Sequence, residues 1–162
     1  MHAPFAATAE CIFARPENDA LTLYQLDPIH GLGRQIAAPG KISASHWSLS
    51  PDGSLLAATT RKDQGRVQLI NVADATQHSI YASPVRDLRD LSWAADARSL
   101  FVLGLTKYYD VILRVHFDGK TQLVLDRGKD HAIYTPLPSP DGRHLAFSEL
   151  TWESNDWLLE NF

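Results

Sequence analysis

The sequence predicts an all-β protein of the β-propeller class, and three observations support this prediction. A segment of similar composition recurs along the chain, clearly as LSPDGSLLAAT and PSPDGRHLAFS and more weakly as WAADARSLFVL and FAATAECIFAR. The residues at the shared turn position are spaced by 44, 44 and 45 (Thr8, Asp52, Asp96 and Asp141). The repeats are rich in short runs typical of strands, and no stretch keeps the apolar spacing of an amphipathic helix. About four strands in a repeat of this length form the blade of a β-propeller.

The strands can be placed in order along each repeat from their residue types. The first repeat predicts strands near 10–14, 21–26 and 34–37, with only 1–5 left for an innermost strand. The second predicts 45–49, 54–60, 66–72 and 77–81, and the third 88–93, 98–104, 109–116 and 121–125. The fourth predicts 133–137, 143–148 and 156–162. We therefore expect a single propeller segment over 1–162, with repeats at 1–40, 41–84, 85–128 and 129–162.

The SPDG segment is interpreted as a hairpin turn and not as a catalytic pair. Proline presets the second turn position, aspartate binds nearby backbone, and glycine adopts the left-handed conformation that closes the turn. In the weaker copy WAADARSLFVL, alanines replace Ser, Pro and Gly, while Asp96 and the flanking strand-like runs remain. Turn chemistry accounts for all four positions, and a catalytic motif would not be needed four times.

Composition narrows the functions open to the chain. Its 162 residues, 44% hydrophobic content and net charge of −4 are ordinary for a globular protein. A mildly acidic chain is a poor match for nucleic acid. No apolar run is long enough for a membrane span, and the N-terminus lacks the basic start of a secretory signal. The single cysteine, Cys11, excludes an internal disulfide and is expected to be an inert core thiol.

The residues also resemble a known family. WSLSPDGSLLAAT and PLPSPDGRHLAFS are similar to the repeat of TolB-like propellers, a bacterial WD-repeat-like class, although the Gly-His and Trp-Asp signatures of true WD repeats are absent. The ending SPDGRHLAFSELTWESNDWLLENF is similar to the C-terminal ends of propeller sensor regions in bacterial Ser/Thr kinases and winged-helix regulators. No kinase signature is present. The resemblance implies a binding module that forms the sensor part of a larger bacterial signalling protein, in an extracytoplasmic parent if the parent resembles TolB.

The strand count predicts an incomplete ring. We expect Phe162 to be a natural terminus, Met1 to be an internal start, and the repeats to be four of six to eight blades. Terminal blades of an open arc would expose apolar faces. Three outcomes stay open: closure into a four-bladed ring, pairing of two chains into an eight-bladed ring, or a fragment of marginal stability. We favour an open or self-pairing arc.

Candidate binding residues are expected on the rim of the central channel. They lie before the innermost strands or between the second and third strands of a repeat: Arg86, Asp87, Arg89, Asp130, His131 and Trp152. Mixed charge beside an aromatic ring suits a protein surface or a polar ligand. Solvated loops with self-neutralising ion pairs are the structural alternative for most of these residues. Seven histidines are scattered without metal-ligand spacing, so no metal and no cofactor are expected.

The sequence thus favours a non-enzymatic binding or protein-interaction module. The alternative is a propeller enzyme, or a propeller attached to a hydrolase, with a polar site at the channel mouth. Only Asp87, Asp130 and His131 are available for such a site, and no Gly-x-Ser-x-Gly elbow supports a nucleophile.

Overall fold

A computed structural model of the chain describes residues 11–17, 20–36, 46–59, 64–129 and 131–152. Within these ranges all regular structure is β-strand, which confirms the predicted all-β class. No helix of the length and hydropathy needed to cross a membrane occurs in the described part of the chain. The strands predicted at 1–5 and 156–162 lie outside the described residues.

The strands form four antiparallel sheets, which we call blades 1 to 4 in chain order. Blade 1 contains β1 (Cys11–Glu17), β2 (Ala20–Asp27) and β3 (Gly31–Ile36). Blade 2 contains β4 (His46–Leu49), β5 (Leu55–Thr59), β6 (Arg66–Asn71) and β7 (Gln77–Tyr81). Blade 3 contains β8 (Asp87–Trp93), β9 (Ser99–Leu105), β10 (Asp110–His116) and β11 (Thr121–Asp126). Blade 4 is described over β12 (His131–Pro138) and β13 (Leu145–Thr151).

The SPDG segments form the predicted hairpin turns. In blade 2 the N–H of Gly53 donates to the Ser50 carbonyl at 2.9 Å, and Gly53 has a φ of +75°. The Ser50 hydroxyl donates to the Asp52 carboxylate at 2.6 Å, and this bond is the main reason that the pKa of Asp52 lies below its ordinary value. In the weaker copy, in blade 3, Ala97 occupies the position of the glycine and has a φ of +53°. The turn geometry therefore persists where the glycine is lost.

Apolar side chains pack between neighbouring blades, and each central strand supplies both of its faces. Leu56 of β5 packs with Ile12 and Leu23 of blade 1, while the next residue, Ala57, belongs to the cluster shared with blade 3. Trp93 of β8 lies in that same cluster, and its indole N–H donates to the Ser48 carbonyl of β4 at 2.9 Å. Trp93 therefore packs between blades 2 and 3.

The described blades form an open arc. Blades 3 and 4 share a smaller cluster of Leu103, Ile112 and Ile133. The outward faces of the first and last sheets are not packed together, because Phe13 of blade 1 and Leu150 of blade 4 are both exposed. In the described residues the chain is therefore a partial propeller and not a closed four-bladed ring.

Candidate interaction site

The end of the sheets at which β4, β8 and β12 begin is the upper face of the arc. Because neighbouring strands are antiparallel, β9 and β13 end there and β10 begins there. This face brings together the predicted residues that the structure describes: Arg86, Asp87, Arg89, His131 and Trp152. Asp130 lies outside the described residues.

Arg89 is held by a buried carboxylate that the sequence analysis did not single out. A bulge in β8 between Leu88 and Asp90 displaces Arg89 from the regular register. Its Nη1 lies 2.9 Å from Oδ1 and 3.1 Å from Oδ2 of Asp110, the first residue of β10. The Asp110 side chain is almost fully buried, and its Oδ2 also lies 3.5 Å from the backbone N–H of Ile133 in β12. The pair therefore joins blades 3 and 4 and does not offer a free cation.

His131 contacts a carboxylate of its own blade that also reaches blade 3. Its Nδ1 lies 2.8 Å from Oε1 of Glu149 in β13. The same carboxylate is approached by Arg127, which follows β11, with an Nε to Oε1 distance of 3.2 Å. Glu149 therefore links a histidine of blade 4 to an arginine of blade 3.

Asp90 and Asp87 are two further acidic residues near the upper face. Asp90 accepts a hydrogen bond from the Leu91 N–H at 2.8 Å and lies 3.8 Å from Nδ1 of His46 in blade 2. Asp87 lies 3.9 Å from Nε of Arg89, and its Oδ1 is buried without a hydrogen-bond partner among the described residues. Most of the charged side chains in the 86–90 segment therefore form ion pairs within this segment or with neighbouring strands and blades.

Other residues at this end remain open to solvent. Tyr108, at the tip between β9 and β10, is 61% exposed, and Lys107 Nζ lies 5.0 Å from its ring centre. Trp152, one of the candidate binding residues, follows β13 and is 59% exposed. Arg86 is exposed too, and its backbone N–H donates to the Leu105 carbonyl beside the same tip. These residues form the accessible part of the upper face.

The neighbouring Tyr109 is tied down instead. A hydrogen bond to the Asp126 carboxylate raises the pKa of the Tyr109 hydroxyl above its ordinary value, since the bond favours the protonated phenol. Within the tip, the Thr106 hydroxyl donates to the Tyr109 carbonyl at 2.9 Å, and the Thr106 backbone N–H donates to the same carbonyl at 3.0 Å. Tyr108 is therefore presented from a braced hairpin.

At this face the acidic side chains that contact arginine differ from the aromatic side chains, which are exposed. No group of three or more His, Cys, Asp or Glu residues in the described ranges is placed to hold a metal ion. The acidic side chains Asp110 and Glu149 already contact arginine. Exposed tyrosine, tryptophan and arginine side chains are the groups that protein interfaces favour.

Asp110 and Glu149 were missed because each stands alone in an otherwise strand-like run. Asp110 opens the apolar sequence DVILRVH, and a charged residue at the start of a buried strand was the available signal. Glu149 lies in LAFSELT, where its partner on β12 cannot be located from sequence. The strand register places Glu149 opposite Ile133 and diagonal to His131, and no local pattern specifies that register.

The sheet order, the antiparallel blades and the packing between them define a partial β-propeller. No protein family and no curated protein matches the sequence. Solved structures do match: a protein assigned as TolB from Agrobacterium tumefaciens (TM-score 0.68, 18% identity, 90% of this chain) and TolB from Acinetobacter baumannii (TM-score 0.69, 17% identity, 90% of this chain). The tricorn protease matches over 84% of this chain with a TM-score of 0.58 and 13% identity. The chain has a TolB-like β-propeller fold.

The match covers part of each larger protein. The chain spans 52% of the Agrobacterium protein, 36% of the Acinetobacter protein and 14% of the tricorn protease. At these identities the likeness is one of fold.

Proposed function

We propose that this chain is a non-enzymatic interaction module that binds another protein through the upper face of blades 3 and 4. The observation that carries the proposal is the exposure of Tyr108, which lies beside Lys107, and of Trp152 at the same end of the next blade. Aromatic and arginine side chains dominate binding energy at protein interfaces, whereas singly scattered charges contribute little. The similarity of the chain to TolB structures supports a binding scaffold of this kind.

The proposal is non-enzymatic because the ionisable groups of the described upper face are mostly committed to the fold. Asp110 is paired with Arg89, and Glu149 with Arg127 and His131. A general acid or base must reach substrate, whereas the Asp110 carboxylate is buried between two blades.

The wider setting is part of the same proposal. The segment 1–162, with repeats at 1–40, 41–84, 85–128 and 129–162, acts as the C-terminal sensor part of a bacterial signalling protein. Its support is the resemblance of the run that contains Ser154, Asn155, Trp157 and Glu160 to the ends of such sensor propellers. The partner would then control an output domain attached to the sensor.

Site-specific photo-crosslinking tests the binding face. A photoreactive phenylalanine analogue replaces Tyr108 in one variant and Trp152 in another, and the matched control places it at Arg98, which is exposed in the opposite turn of blade 3. After irradiation in extract of the source cells, we expect one protein to be captured from both upper-face positions and not from Arg98. Capture must be lost when unlabelled chain competes, and the captured protein must bind the purified chain.

Two results would contradict the proposal. Capture of the same protein equally from Arg98 would place binding elsewhere. Turnover of a small substrate that is abolished by Asp87→Asn, with no partner captured from Tyr108 or Trp152, would instead support the enzymatic alternative.

A further inference from the structure

The outward face of blade 1 is apolar and exposed. Strand pairing places Phe13 opposite Tyr24, and Leu26 opposite both Cys11 and Leu32, so these side chains share one face. Phe13 is 41% exposed and Leu32 is 50% exposed. The other face, with Ile12 and Leu23, packs on blade 2. Arg15 also lies on the outward face, toward its upper edge.

The outward face of blade 4 has the same character. Tyr134 pairs with Ser148, and Leu137 pairs with Ala146 beyond a bulge, so these residues lie with Leu150 on one face. Tyr134 is 46% exposed, Leu137 55% and Leu150 45%. The opposite face, with Ile133 and Leu145, packs against blade 3. Exposed apolar area of this kind is typical of an interaction surface.

We propose that these two faces bind each other between two copies of the chain, blade 4 of one copy packing on blade 1 of the other. Every described junction has the same form: one face of a blade packs on the blade that follows it in the chain, and the other face packs on the blade that precedes it. Blade 4 offers the face that receives a following blade, and blade 1 offers the face that a preceding blade would cover. The contact continues the packing already present within the arc, and it is independent of the upper-face function.

The stoichiometry follows from the geometry of repeats. A head-to-tail contact closes only when the summed rotation completes a ring. Two arcs of four blades give eight, the upper end of the usual range of about 4–8, whereas three arcs would exceed it. Closure within one chain does not occur in the described structure, because both faces are exposed there. For the chain of 162 residues by itself, the expected assembly is therefore a dimer with two identical junctions.

Absolute mass in solution gives the first test. Light scattering after size exclusion should report twice the chain mass of 18.0 kDa at micromolar concentration. Leu150→Glu and Phe13→Glu each bury a charge in a junction, so each should raise the dissociation constant about tenfold or more. The matched control is Leu123→Glu, because Leu123 is 57% exposed on β11 but lies on neither terminal face, and it should leave the mass unchanged.

Cross-linking tests the head-to-tail arrangement. Cys11, expected from the sequence to be a core thiol, is instead partly exposed on the outward face of blade 1. One chain keeps this natural Cys11, and the other carries Cys11→Ser with Ala146→Cys on the face of blade 4. A short bismaleimide should link the two chains when they are mixed and should link neither chain to itself.

Three results would overturn the proposal. The parent chain at 18.0 kDa across the concentration range would mean that other blades or another protein cover these faces. Linking of the Ala146→Cys chain to itself would indicate a contact of like faces. Dissociation by Leu123→Glu as readily as by Leu150→Glu would place the interface on the outer strands.

Discussion

Asp110 shows how one buried carboxylate connects two blades. Its oxygens contact the Arg89 guanidinium and approach the Ile133 N–H, so removal of the side chain leaves both donors without their acceptor. Breaking a buried pair from one side costs about 3–5 kcal/mol, and Arg89 can regain some water because it is partly exposed. We predict that Asp110→Ala lowers the free energy of unfolding by about 2–3 kcal/mol in urea titration.

The exposed pair of Lys120 and Asp118 provides the control for this prediction. The two charges lie 3.0 Å apart, but both side chains are largely in water. Lys120→Ala should therefore change the stability by less than about 0.5 kcal/mol. An equal loss for Asp110→Ala and Lys120→Ala would show that burial of Asp110 contributes nothing.

Ala97 adopts a strained backbone conformation in the turn between β8 and β9. Its φ of +53° is left-handed, a region that disfavours residues with a Cβ atom. We predict that Ala97→Gly raises the free energy of unfolding by about 0.5–1 kcal/mol, net of the greater chain entropy of glycine.

Gly53 gives the reverse substitution in an intact SPDG turn. A Cβ added there meets no atom within 4 Å, so Gly53→Ala tests backbone conformation alone. Its φ of +75° leads us to expect a loss of similar size in thermal or urea unfolding. A stabilising Gly53→Ala would show that φ does not limit these turns.

The strands of blades 2 and 3 illustrate what a repeat pattern can predict. The run at 77–81 coincides with β7, and the other strands of these blades agree to within a residue or so at each end. These boundaries can be predicted because turn residues such as SPDG end one strand and an apolar run begins the next. The strands of blade 1 extend further than predicted, to Glu17 in β1 and Asp27 in β2. Polar residues at these ends still pair with the neighbouring strand through their backbone, which residue type alone does not indicate.

The phase of the faint first copy was not predictable in the same way. Ile12 lies 44 residues before Leu56, yet Ile12 faces blade 2 while Leu56 faces blade 1. A shift of one residue exchanges the faces of a strand, and the degraded copy gives no turn residue to fix that phase. The bulge at Arg89, which brings its guanidinium to Asp110, is also invisible in local sequence.

Gly104 marks a close approach between β9 and the segment that enters β8. A Cβ at this position would overlap the Val85 side chain and lie 2.8 Å from the Asp87 carbonyl oxygen. We predict that Gly104→Ala lowers the free energy of unfolding by about 2–3 kcal/mol, as overpacking does in a filled core. Chemical denaturation of the single variant measures the loss.

A double-mutant cycle with Val85→Ala separates the two clashes at Gly104. Val85→Ala removes the side-chain overlap but leaves the backbone contact, so Gly104→Ala should cost less in that background than alone. Equal costs in both backgrounds would show that Val85 does not limit the approach.

At the scale of the whole molecule, burial is concentrated in the middle of the arc. Blades 2 and 3 share the cluster that contains Leu69, Val102 and Leu113, whereas β11 and β13 are largely exposed. In a linear array, stability is the sum of blade terms and junction terms, so central blades open less often than terminal ones.

Amide hydrogen exchange should therefore be slowest in β9 and β10 and faster in β3, β11 and β13, because the central strands are covered on both faces. Association would add protection to β12 and β13, so the exchange is measured in Leu150→Glu as well as in the parent chain. In Leu150→Glu the gradient from the centre to the ends should be steepest, since only packing within one arc remains. Uniform protection across all strands of that variant would contradict this prediction. It would mean that the blades unfold as one cooperative unit, because the junctions between them are strong compared with the stability of each blade.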